Sequence, residues 1–98
     1  MCHIFASTDP ALFAPVTRSV RIAGVVTSIR LEAMFWSMLD EIAASQKMPT
    51  ARFLSTLHDE VVELRGEIGN FASLLRVICS RHAEARAEAV DHRDSTAA

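Results

Sequence analysis

Residues 25–43 pass from a strand pattern to a helix pattern with no turn residue between them, and this junction constrains the fold more than any other stretch. Val25-Val26-Thr27-Ser28-Ile29-Arg30-Leu31-Glu32 alternates: Thr27, Ile29 and Leu31 fall on one side, Val26, Ser28 and Arg30 on the other. From Ala33 onward the apolar positions Phe35, Trp36, Leu39, Ile42 and Ala43 recur at helical spacing. A lone strand cannot satisfy its own backbone N–H and C=O groups, so it requires a partner. The same strand of a second copy is the simplest one. The expectation is a two-stranded antiparallel ribbon shared between two chains.

Composition sets the frame for that ribbon. Half of the 98 residues are apolar, which suits one core and leaves apolar surface to bury between subunits. Net charge is −2, which excludes a generally basic nucleic-acid binder. The distribution is uneven, however. Residues 15–31 hold Arg18, Arg21 and Arg30 and no acid, whereas Asp40, Glu41, Asp59, Glu60, Glu63 and Glu67 and the C-terminal stretch carry the negative charge. A positive ribbon on an acidic body favours local phosphate contact over indiscriminate adhesion. Three surface arginines in a short stretch are also compatible with an ordinary solvated face. No secretory signal and no membrane-length apolar run is present, so the expectation is a cytoplasmic protein without membrane contact.

Along the chain, the elements are well punctuated. Residues 1–24 read as an N-terminal arm, with Ile4, Phe5, Leu12, Phe13 and Val16 in need of cover and a short alternating run at Thr17–Ile22 leading into the ribbon. Residues 25–66 read as the core unit. Its first helix is expected from about Glu32 to Ser45, its turn at Gln46-Lys47-Met48-Pro49, and its second helix from about Thr50 to Arg65, closed by Gly66. Asn70 is a cap candidate for a third helix within residues 67–90, and residues 91–98 have the composition of a frayed tail. No internal repeat stands out.

The strand, a helix opening with Leu31-Glu32 and Phe35-Trp36, a short turn and a second amphipathic helix resemble the ribbon-helix-helix proteins, relatives of the Arc and Met repressors. The likeness extends to a bacterial subfamily through four blocks in order: Met1-Cys2-His3-Ile4-Phe5 with Asp9-Pro10; Thr17-Arg18-Ser19-Val20-Arg21; Gly24 to Glu32; and Gly69-Asn70-Phe71-Ala72-Ser73-Leu74-Leu75-Arg76-Val77. Some members of that subfamily carry a sulfotransferase label. The chain has no phosphate-cradling loop and no room for a sulfonate-donor pocket, so the label carries no weight.

The resemblance implies a mainly α fold with one short N-terminal strand: an intertwined homodimer, an intermolecular two-stranded antiparallel ribbon and an extra C-terminal helix. It implies Val26, Ser28 and Arg30 as base contacts in the major groove. Arg pairs bidentately with guanine, Ser donates or accepts, and Val meets a thymine methyl. The competing reading is an ordinary half-exposed strand face. Phosphates are expected at the N-terminus of the second helix, near Thr50, Lys47 and Arg52. Here the chain departs from the family, with Pro49 and Lys47 where Ser and Gly are more usual, and Thr50 is expected to take over the cap. Arg18 and Arg21 are expected to grip backbone phosphates upstream. The dimer core is expected from Ile29, Leu31, Phe35, Trp36, Leu39, Ile42, Leu57 and Val61.

No catalytic, cofactor or metal constellation is legible. Cys2 beside His3 does not make a metal site, and a Cys2 nucleophile of the amidotransferase kind lacks every supporting feature. His3, His58, His82 and His92 show no ligand spacing, and Cys79 reads as a buried small hydrophobe. The sequence thus points to a non-enzymatic transcription regulator whose partners are double-stranded DNA and a second copy. The alternative is a protein-interaction dimer of the antitoxin kind, holding a protein partner on the same fold.

Overall fold

The computed structural model describes the backbone of residues 3–97 and the side chains of residues 3–91. Cys2 lies outside the described residues. Two single-turn helices, α1 (His3–Ala6) and α2 (Pro10–Phe13), precede two strands, β1 (Pro15–Ile22) and β2 (Val25–Glu32). Three longer helices follow: α3 (Ala33–Ser45), α4 (Thr50–Arg65) and α5 (Phe71–Ala97).

The ribbon closes within one chain, which corrects the expectation of a ribbon shared between two. β1 pairs antiparallel with β2, from Pro15 opposite Glu32 to Ile22 opposite Val25. The turn is Ala23-Gly24, with φ of 51° and 80°. Positive φ at both central residues is what a two-residue type I′ hairpin requires, and this turn matches the right-handed strand twist. The physical reason for the correction is proximity. Closing a two-residue loop costs far less entropy than recruiting a second chain. The fold therefore has two strands where one was expected, and the first lies in what was expected to be the arm.

The register also exposes an internal repeat that did not stand out in the sequence. Ser19-Val20-Arg21-Ile22 on β1 and Ser28-Ile29-Arg30-Leu31 on β2 occupy equivalent places about the Ser19–Ser28 pair.

Directly opposed residues share a face of the ribbon. Val20, Ile22, Ile29 and Leu31 line the inner face and are buried. They meet Trp36, Leu39, Ile42 and Ala43 of α3, Phe53 and Leu54 of α4, and Leu75 and Cys79 of α5. The apolar band expected to form a dimer core is therefore closed by the chain's own elements. Ile29, Leu31, Trp36, Leu39 and Ile42 are buried inside one chain, Phe35 and Leu57 pack against that core, and Val61 is half-buried. β1 and α5 supply the cover that the sequence reading assigned to a second copy.

The helix ends follow from local chemistry. α3 stops in a Schellman arrangement: Lys47 N–H donates to Ala44 O (3.0 Å) and Met48 N–H to Ala43 O (3.1 Å). Lys47 takes φ of 57° there, the place usually held by glycine. Gly66 ends α4 with φ of 82°. Asn70 Oδ1 accepts from Ser73 N–H (3.0 Å) and starts α5. That helix continues to Ala97, past the Asp91 boundary at which fraying was expected. No helix of the described residues is long and apolar enough to cross a membrane.

Candidate nucleic-acid interface

The outer face of the hairpin carries eight side chains in four opposed pairs: Pro15 with Glu32, Thr17 with Arg30, Ser19 with Ser28, and Arg21 with Val26. All are exposed but Glu32, which is half-buried. Alternation dictates this, because their neighbours Val20, Ile22, Ile29 and Leu31 are drawn into the core and each intervening residue must then point outward. Val26, Ser28 and Arg30 thus lie together on one exposed strand face. Among the described residues, neither Arg21 nor Arg30 is in an ion pair. Arg21 Nη1 donates to Gly24 O at the turn (3.1 Å). Glu32, two residues after Arg30 on the same face, accepts from Arg76 Nε (2.9 Å). That hydrogen bond holds the Glu32 carboxyl below its usual range. The face is therefore polar, with two arginines to one acid, and neither arginine is committed to a salt bridge among the described residues.

Arg18 lies on the opposite face. It stands opposite Ile29, and its guanidinium sits 4.5 Å from the centroid of the Trp36 ring. It donates twice to Asp40, at 2.8 and 3.0 Å. Asp40 also accepts from Thr50 Oγ1 (2.6 Å). The Arg18 hydrogen bond leads in pulling the Asp40 carboxyl below its ordinary value; burial pushes the other way, and the Thr50 bond adds to the downward pull. Two expected phosphate contacts, Arg18 and Thr50, are thus engaged by an internal carboxylate. The physical reason is that Arg18 occupies an inner alternation position. A buried-side arginine must find an anion, and Asp40 lies one helix away. Thr50 does not serve as the N-cap either: Pro49 holds that place without a side-chain bond, and Thr50 is the first residue of α4. Lys47 and Arg52 stay exposed at this helix start.

Comparison with known proteins decides the family. A model of the ribbon-helix-helix domain matches residues 15–83, from the first residue of β1 into α5. The chain belongs to the ribbon-helix-helix family. Among solved structures, an uncharacterized protein from Bordetella pertussis Tohama I is similar at 44% identity with a TM-score of 0.87. The alignment covers 91% of this chain and 71% of that one. No curated protein matches the chain. Ribbon-helix-helix domains are typical of DNA-binding regulators and of antitoxins.

Within this ribbon-helix-helix chain, the outer face also holds Thr17 and Ser19, which were not among the expected contacts, and Arg21, which was expected only as a phosphate contact. Thr17 and Ser19 share the outer face with Ser28 and Arg30, and Arg21 belongs to it as fully as Arg30 does. The signal was present in the repeated Ser-x-Arg of residues 19–21 and 28–30. It becomes meaningful only once the register sets the two copies side by side.

Proposed function

We propose that this ribbon-helix-helix protein is a sequence-specific DNA-binding transcription regulator that presents the outer face of its hairpin to the major groove. The observation that carries the reading is the exposed set Ser28, Arg30, Ser19 and Arg21, on a two-stranded element of the width the major groove admits, with the acid of that face, Glu32, bonded to Arg76. Arg30 and Ser28 are read as base contacts, with Val26 against a thymine methyl. Lys47 and Arg52, exposed at the start of α4, are read as phosphate contacts. The protein acts without catalysis, in the cytoplasm, as a homodimer. Exposed apolar side chains on α1, α2 and α4, among them Phe5, Phe13 and Leu64, support dimer formation.

A second reading keeps the dimer but gives its surface to a protein partner, as in antitoxins. The exposed apolar pair Val25 and Val26 at the hairpin tip favours it. Selection from random duplex pools, wild type beside Arg30→Ala, separates the two. A DNA reader enriches a motif, loses about tenfold or more in affinity with Arg30→Ala, and weakens steeply as salt rises. Failure to enrich any motif at low salt sinks the DNA reading in favour of the protein partner.

A further inference from the structure

The outer face of the hairpin repeats itself. Because Ser19 stands opposite Ser28, a local two-fold axis passes through that pair. The axis carries Thr17 onto Val26, Ser19 onto Ser28 and Arg21 onto Arg30, and on the inner face Val20 onto Ile29 and Ile22 onto Leu31. One chain therefore displays a surface with the near two-fold symmetry that would otherwise require two chains.

We propose that Arg21 and Arg30 are equivalent base-reading residues, so that the hairpin of a single chain reads a short inverted repeat. This deepens the DNA-binding reading above and rests on it. Arg30 faces Thr17, which lies four residues from Arg21 along β1. At ~3.4 Å per residue the two guanidinium groups depart from points about 14 Å apart along the ribbon. That separation is about four base steps of a duplex rising ~3.4 Å per step. Protein two-fold symmetry is mirrored in DNA as an inverted repeat. Each arginine then takes the O6 and N7 edge of a guanine, the two guanines lying on opposite DNA strands, with Ser19 and Ser28 over the steps between. The halves differ in detail. Arg21 uses one of its five N–H donors on Gly24 O, and it has Val26 as its opposite neighbour where Arg30 has Thr17.

The test uses the full chain in selection from random duplex pools: wild type, Arg21→Ala, Arg30→Ala and Arg21→Lys. The expected wild-type motif contains two inverted guanines about four base steps apart. Arg21→Ala is expected to lose one of them and Arg30→Ala the other, each with about a tenfold drop in affinity. Arg21→Lys guards against a weakened turn. It keeps the charge and a donor for Gly24 but cannot pair bidentately, so it should lose the same guanine with an unchanged salt slope. If Arg21→Ala leaves the motif intact and only lowers affinity uniformly, with the salt slope reduced by about one, Arg21 is a phosphate contact and the proposal is overturned. It is equally overturned if both guanines respond to Arg30→Ala and neither to Arg21→Ala, because the symmetry then belongs to a pair of chains. Absence of any wild-type binding overturns the DNA reading itself, an outcome distinct from the other two.

Discussion

Asp40 is the residue on which three elements converge. It binds Arg18 of β1 twice and Thr50 of α4 once, while Arg18 lies over Trp36 and Trp36 Nε1 donates to Val16 O (2.9 Å). The arginine and aspartate side chains are 40% and 46% exposed, so solvent screening limits what the pair contributes. Asp40→Asn is expected to cost about 1 kcal/mol of stability at neutral pH, measured by urea unfolding. The sign of its pH dependence follows from the lowered pKa. The stabilisation is complete above the ordinary carboxylate titration near pH ~4 and is lost as pH falls through the lower folded-state value. Wild-type stability should thus fall more steeply than that of Asp40→Asn below about pH 4; parallel acid limbs would show that Asp40 is not the group responsible. This network was not legible in the sequence. Arg18 reads there as a surface charge, and only the packing of α3 against β1 reveals the carboxylate that it meets.

At the scale of elements, two connections hold non-glycine residues in the left-handed region: Ala23 in the hairpin turn and Lys47 after α3. Side chains carry a steric penalty there of roughly 1 kcal/mol. Ala23→Asn supplies the Asn-Gly pair favoured in type I′ turns, and Lys47→Gly supplies the usual residue of a Schellman end. Each is expected to raise stability by about 0.5–1 kcal/mol, a Tm increase of roughly 2–8 °C by calorimetry. Lys47→Gly carries a second readout. If Lys47 contacts phosphate, the salt slope of DNA binding falls by about one while stability rises. An Ala23→Asn chain that melts lower would count against the hairpin turn described here. The helix starts at residues 33, 50 and 71 lie within one residue of where sequence punctuation set them, because caps and prolines act locally. The hairpin was harder to see, since Ala-Gly is a weaker turn signal than Asn-Gly and the strand pattern gives no pairing partner.

The whole molecule exposes more surface than its mass warrants. A folded monomer of 10.8 kDa shows about 5,500 Å² by the usual scaling, and this chain shows 7236 Å². Its radius of gyration is 15.9 Å, against about 13 Å for a compact domain of this length. Part of the excess is apolar: Ile4 is 83% exposed, Phe5 80% and Leu64 82%. The arm's apolar residues were expected to find cover, yet α1 and α2 leave Ile4, Phe5 and Phe13 exposed on the single chain. Exposed apolar side chains of this size are the kind that an interface between two copies covers. Sedimentation at micromolar concentration is accordingly expected to give a dimer. Because the core closes within one chain, dilution is expected to yield monomers that keep their far-UV helical signal. Loss of that signal together with dissociation would restore the obligate, intertwined dimer that the sequence suggested.

Alternation and helical spacing are local quantities, and the sequence determined them by itself: the strand at residues 25–32, the starts of the three longer helices, and that Val26, Ser28 and Arg30 share a side. Pairing is not local. Which strand meets β2, where Arg18 finds its anion, and which element covers Trp36 and Leu39 depend on the relative free energy of contacts between residues distant along the chain. The tertiary structure decided these in favour of β1, Asp40 and the chain's own core, because a two-residue turn brings β1 to β2 at a small entropic cost that a second chain cannot match.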